Sequence, residues 1–358
     1  MYLYSNMKHV LIPMAAAALL LACQNPSAPL PRGKASADLD AAFASYLQAV
    51  ADSSVEMHGI MVLQHGKVLE EKQFAPDTAH IMNSVSKTFT STAVGFAISE
   101  GLLSLEDKIV DIFPESVPEN ASDTLQRITL RHLLTMNSGH GKDPTYAIRS
   151  GEGDWIKAFM EWPIEYEPGT CYCYNSLGTY LLSAAVQKVT GQKVVDYLEP
   201  RLWKPLGIEK PFWQESPAGI NTGGWGLYIR TEDMARMGLC ILNGGKFCGK
   251  QVIPADWVRE MGANQVPSVG AGLNENQVKE ILEAHPGIPA FLPETSDWVQ
   301  GYGYQMWRCR HNAFRADGAN GQYIIILPDQ DAVIAATAHV SDMQKELNLI
   351  WDFILPAL

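Results

Sequence analysis

The sequence has no Gly-x-Ser-x-Gly elbow, no His-Glu-x-x-His, no Walker loop and no Gly-x-Gly-x-x-Gly. Those absences remove the commonest sequence grounds for an α/β-hydrolase, a zinc protease, an NTPase or a dinucleotide enzyme. Positive charge is scarce: 27 Lys and Arg stand against 39 Asp and Glu, a net charge of −12, with no basic run. Such a chain is a poor nucleic-acid binder. Charged residues of both signs reach only 18%, and the cysteines have no zinc-ligand spacing with histidines. What the chain does have is apolar: 47% hydrophobic residues over 358 positions, enough for a sizeable core. That composition excludes a disordered or fibrous chain and points to an enclosed site for a small partner.

The one long apolar run, Val10 to Leu21, follows Lys8 and is shorter than the ~20 residues a membrane span takes. It leads into Leu20-Leu21-Ala22-Cys23, which resembles a bacterial lipoprotein signal ending in a lipobox. Residues 1–22 would be removed and Cys23 would carry the lipid. The expectation is an exported lipoprotein, anchored on the periplasmic or cell-surface side, that touches the membrane only through that lipid. Gln24 to Lys34 is rich in Pro, Ser and Ala and reads as a flexible tether within 23–37. Five cysteines remain, Cys171, Cys173, Cys240, Cys248 and Cys309. The odd count leaves at least one outside any intrachain pairing, and the sequence picks no pair.

Beyond the tether, Asp38 is placed to cap a helix carrying Leu39, Phe43, Leu47 and Val50 on one face. Two strand-like runs, 59–63 and 68–74, flank Gln64-His65-Gly66-Lys67, a hairpin signal. A nearly all-apolar helix, Thr88 to Ser99, is expected to be buried on most sides. Helical runs follow at Ile128 to Met136, Leu177 to Val189 and Thr231 to Leu242, with one more from Asn274 to Ala284 inside the loop-rich stretch 263–298. Strands return at Tyr302 to Trp307, Tyr323 to Leu327 and Ala332 to Thr337, and Met343 to Phe353 is a last helix. This order predicts an α/β fold. An antiparallel sheet built from both chain ends (38–105 and 206–358) is flanked by helices, with a mainly helical lobe (106–205) inserted. The crevice between sheet and lobe is the expected place for a site.

Three short segments carry chemistry. Ser84-Val85-Ser86-Lys87 puts a hydroxyl and an amine three apart at the start of the buried helix, on one face. Serine is a poor nucleophile until a base takes its proton, and a lysine with a lowered pKa can be that base. With 21 Ser and 16 Lys, composition alone would scatter about one Ser-x-x-Lys along the chain. What singles this one out is context: Lys87 is the only charge between Ala79 and Ser99. A charge opening a buried helix needs a partner or a task. The second segment is Tyr174-Asn175-Ser176, whose phenol can shuttle a proton. The third is Phe314-Arg315-Ala316-Asp317-Gly318-Ala319-Asn320-Gly321-Gln322, a glycine-rich turn between two strands, and a strand with glycine permits close backbone approach.

In this order, Ser84/Lys87, Tyr174 and a late glycine-containing edge strand, the chain resembles the serine β-lactamase-like hydrolases. It is most similar to the branch holding class C β-lactamases, D-alanyl carboxypeptidases, esterases and 6-aminohexanoate-dimer hydrolases. The likeness covers roughly residues 55–340. It implies that Ser84 forms an acyl-enzyme, that Lys87 accepts its proton and that Tyr174 protonates the leaving group. It further implies that the backbone N–H groups of Ser84 and Ala319 form the oxyanion hole. Asn175 or Ser176 would orient Lys87 or the substrate, and Trp225, Ala316, Asp317 and Gly318 would meet the substrate. No cofactor or metal is implied.

The departures are informative. Family members often read Tyr-x-Asn where this chain has Tyr174-Asn175-Ser176, and Lys-Thr-Gly where it has Ala316-Asp317-Gly318. Without the lysine, and with an acid expected to repel carboxylates and attract ammonium groups, the resemblance points to an esterase or amidase. A class C-type β-lactamase, a D-Ala-D-Ala carboxypeptidase and a non-catalytic penicillin-binding-type sensor are the alternatives. Arg315 should face away from Ala316. His140 is expected at the rim of the cleft, Tyr228 beside Trp225 in it, and 263–298 as a lid.

Overall fold

The computed structural model describes residues 25–358 except 152, 270–272 and 286. The expected signal segment and Cys23 therefore lie outside the described residues.

Helix α1, Ala37–Ala51, is capped by Ser36, whose side chain accepts from the Leu39 N–H at 3.0 Å. Asp38, expected as the cap, sits in the first turn, where its charge complements the helix dipole. Strands β1, Glu56–Gln64, and β2, Lys67–Gln73, form the expected hairpin. Its two turn residues, His65 and Gly66, have φ of 51° and 72°, the left-handed pair that the tightest right-twisting turn demands. Helix α2, Ser86–Ser99, is buried at every position from Ser86 to Ala97. Helix α3, Ser176–Thr190, packs on it, and α4, Thr231–Leu242, lies against the sheet. Strands β3, Trp307–Arg308, β4, Phe314–Gly318, β5, Gln322–Leu327, and β6, Ala332–His339, precede helix α5, Met343–Leu349.

The six strands make one antiparallel sheet in the order β2-β1-β6-β5-β4-β3. The two chain ends thus meet at its centre, with Ile60 opposite Ala336 and Tyr323 opposite the same alanine. Alternate residues split the sheet between two cores. Met61, Leu63, Ile324, Ile326, Val333 and Ala335 face the core shared with α2, α3 and α4. Ile60, Val62, Ile325, Ile334 and Ala336 face a second core shared with α1 and α5. Both faces being covered, the central strands read as continuous apolar runs.

Two further expectations are corrected. Tyr302 to Trp307 is not a strand: Gly301 and Gln305 take φ of 115° and 65°, and only Trp307–Arg308 pairs with β4. The stretch 25–34 is not a free tether. Arg236 holds the carbonyls of Pro26 and Ala28, the latter at 2.6 Å, and Glu232 accepts from the Leu30 N–H at 2.9 Å. Val68 and Gly33 add backbone bonds at 2.8 Å, and Leu30 is buried in the larger core. A segment of linker-like composition is therefore strapped along β2 and α4. Cys171, Cys173, Cys240 and Cys309 are free thiols. Among the described residues no helix is long and apolar enough to cross a membrane.

Candidate active site

Ser84 lies in a single 3₁₀ turn, Asn83–Val85, that runs into α2. The turn is fixed from two sides. Asn83 takes φ of 45° and donates from Nδ2 to the Ala319 carbonyl at 2.8 Å. Gly318 lies so close that a Cβ there would meet the Met82 carbonyl oxygen at 2.3 Å and the Val85 nitrogen at 3.2 Å. The glycine of the third segment thus admits the turn that holds Ser84, and Asn83 ties that turn to the Ala319 carbonyl just past β4.

Lys87, one turn on, donates from Nζ to Ser84 Oγ at 2.8 Å, to Ser176 Oγ at 3.0 Å and to the Gly224 carbonyl at 2.8 Å. Its side chain is only 1% exposed. Burial pushes the ammonium down to about 7, although the Asp143 and Asp317 carboxylates favour the charged form. Near neutral pH the amine therefore exists in both protonation states within reach of the hydroxyl.

Tyr174 closes the group. Its hydroxyl hydrogen-bonds with Ser84, and the Lys87 ammonium stands 4.8 Å from its ring centre. Trp307 stacks on that ring at 5.4 Å and Tyr302 meets it edge-on at 6.2 Å. Burial, opposed by the Ser84 hydrogen bond, raises the phenol well above the ordinary tyrosine range. The group therefore keeps its proton at neutral pH.

The remaining expectations separate. Ser176 reaches Lys87, whereas Asn175 caps α3, its side chain accepting from the Gly178 N–H at 3.0 Å. Ala316 is fully buried in the larger core and offers no surface to a substrate. Asp317 does not present a free charge to the cleft: Arg315, two residues away on the same face of β4, donates to it at 2.8 Å. Burial raises the Asp317 carboxyl above its usual range, against the pull of Arg315. Trp225 follows Gly224 directly and lines a groove with Arg149 and Phe212. Tyr228 packs against Phe212 at that groove's flank. His140 is buried, bonded to Ser138 Oγ at 2.9 Å and tilted against the Phe159 ring at 4.4 Å, and burial pushes its imidazole down to about 4. It belongs to the interior and not to the rim.

The stretch 263–298 is fastened near Tyr174. Asn274 bridges to Cys173 and donates to the Gly141 carbonyl at 2.7 Å. Sequence reasoning missed Asp143 and Gly224. Asp143 receives the Ser176 N–H at 3.3 Å and Thr145 N–H at 2.9 Å, which places a carboxylate beside the Lys87 pocket. Neither residue belongs to a motif, and no local signal could have found them. Among the described residues no cluster of His, Cys, Asp and Glu is arranged to hold a metal.

A family model described as Beta-lactamase matches residues 42–358. Over 297 residues the chain is 27% identical to the 6-aminohexanoate-dimer hydrolase of Paenarthrobacter ureafaciens, covering 76% of this chain and 70% of that one. Over 302 residues it is 27% identical to Esterase EstB of Burkholderia gladioli, covering 72% and 74%. In three dimensions it is similar to the octameric penicillin-binding protein homologue from Pyrococcus abyssi. That match has a TM-score of 0.67 and 18% identity, over 89% of this chain and 77% of the other.

Proposed function

The chain belongs to the Beta-lactamase family of serine hydrolases, and from that premise we propose that it is an exported, lipid-anchored enzyme that cleaves small esters and linear amides through an acyl-enzyme on Ser84. Neutral Lys87 takes the Ser84 proton as Oγ attacks the substrate carbonyl. The backbone N–H groups of Ser84 and Ala319 receive the oxyanion. Tyr174 gives its proton to the departing alcohol or amine, and the Lys87 ammonium, 4.8 Å from the Tyr174 ring centre, returns one to the phenolate. A water molecule then attacks the acyl carbon, its proton leaving by the same relay, and the acid and free Ser84 are released.

The observation that carries this reading is the 2.8 Å contact from Lys87 Nζ to Ser84 Oγ, made by a lysine that burial brings down to about 7. Ester and amide substrates are favoured over β-lactams because β4 holds Ala316, buried, where β-lactamases hold a lysine. The relatives named an esterase and a 6-aminohexanoate-dimer hydrolase support the same choice. Export and the lipid rest on Lys8, the Val10 to Leu21 run and Cys23.

Intact-mass spectrometry after rapid quenching tests the assignment across short p-nitrophenyl esters, linear amides, D-amino acid peptides and nitrocefin. The expected result is an acyl mass on the peptide holding Ser84 with an ester or linear amide. An adduct on another residue, or nitrocefin as the fastest acylating agent, overturns it.

A further inference from the structure

One flank of the cleft carries a feature that the acylation chemistry does not use. Beside the Lys87 pocket, starting at the residue after Gly224, lies an open groove of about 480 Å³. Trp155, Trp225, Phe212, Gln214, Glu215 and Arg149 are among its walls. The apolar part is aromatic: Trp155 and Trp225 sit 5.9 Å apart, and Phe212, on the groove wall, is 65% exposed. Such surface left in water by a soluble fold is a recognised mark of a binding site.

The groove's charges are unequal. Glu215 is tied to Lys193 at 2.7 Å. Arg149 makes no ion pair or hydrogen bond with any described residue. Its guanidinium carbon lies over the exposed Tyr146 ring at 4.3 Å and over the Trp225 ring at 5.8 Å. A stacked guanidinium keeps its in-plane N–H fork free, and that fork matches a carboxylate with two parallel hydrogen bonds. The acid once expected to repel carboxylates, Asp317, is itself paired with Arg315.

We propose that this groove is the subsite for a flat apolar group bearing a carboxylate, with Trp225 and Phe212 taking the apolar part and Arg149 the charge. The inference rests on Ser84 as nucleophile only in making the groove part of a substrate site.

Binding is therefore tested apart from turnover. Ser84→Ala protein is titrated calorimetrically with 4-phenylbutyrate and with 4-phenylbutyramide at low ionic strength. The carboxylate should bind at least fivefold tighter than the amide. Arg149→Met on the same background should remove that gap while leaving the amide's affinity unchanged, and the gap should narrow at high salt. Equal affinities, or a gap that survives Arg149→Met, overturns the proposal. In the active enzyme the carboxylate should compete with p-nitrophenyl butyrate more strongly than the amide does, and Arg149→Met should erase that difference between the two inhibitors. A protein that shows the binding gap yet never acylates refutes the hydrolase reading and leaves the subsite standing. Acylation without the gap does the reverse.

Discussion

Of the cations buried in the interior, Lys87 at 1% and Arg315 at 0% exposure are accommodated in opposite ways. Arg315 donates to the Asp317 carboxylate and to the Asp297 carbonyl, both at 2.8 Å, and lies 4.6 Å from the Trp298 ring. Burial works against its charge, yet Cys309, Asp317 and the other acidic groups around it hold the guanidinium above the usual arginine range. Lys87 bonds only to two hydroxyls and one carbonyl, and its nearest acids act at a distance. There burial prevails. The comparison teaches that burial by itself does not make a cation reactive. What matters is whether a carboxylate is buried in direct contact with it.

The sharpest way to break the comparison is Lys87→Arg, which turns the proposed base into a permanent cation like Arg315. Arginine cannot give up a proton in a protein. Ester turnover should fall by about 10³-fold or more, as removal of a general base does. Retention of most of the rate in stopped-flow assays would make Lys87 an electrostatic prop.

Asp317→Asn attacks the other member. It leaves Arg315 buried without its carboxylate, a change that costs about 3–5 kcal/mol when a buried pair is broken from one side. Thermal and urea unfolding should register that loss, while the ratio of rates on anionic and neutral esters stays as it was. A shifted ratio with unchanged stability would return Asp317 to the cleft.

The mildest test is pH. With Lys87 at about 7, kcat/KM should rise with pH and level off above that value, falling about tenfold per unit on the acid side. The sign for stability follows separately. Below pH 7 folded and unfolded chains both hold the proton, and burial of the charge is fully unfavourable. Between about 7 and 10.5 the folded chain has released it and the unfolded chain has not. The Lys87 contribution should therefore make the protein more stable as pH climbs through that window. Chemical denaturation of wild type and Lys87→Met measures the difference, which should shrink as pH rises. A difference that is flat with pH refutes the lowered pKa.

Much of this was legible because it is local. Ser84 and Lys87 are one turn apart, and a lone charge in an apolar helix is visible without a structure. The hairpin turn at His65-Gly66 and the limits of α4 follow from residue chemistry within a few positions. What escaped joins distant segments: Gly224 stands 137 residues from the lysine it meets, and Asp143 approaches Ser176 from a loop. Asp317 is a different kind of miss. Strand alternation correctly turned Arg315 away from Ala316, and the same alternation, carried one residue further, places Asp317 beside Arg315. The segment 25–34 misled by composition, since its order comes from Arg236, Glu232 and Val68, none of them nearby in sequence.

That segment also sets a distance. Two residues, Gln24 and Asn25, separate Cys23 from Pro26, the first carbonyl held by Arg236, and the three residue steps from Cys23 to Pro26 reach only about 10 Å when extended. A lipid on Cys23 would hold the enzyme flush against the bilayer with little freedom to turn, always presenting the same flank. Substrates would then be met at a fixed height and angle above the lipid headgroups. Lengthening the chain between Cys23 and Pro26 would change which molecules the groove can reach without altering any atom of the site.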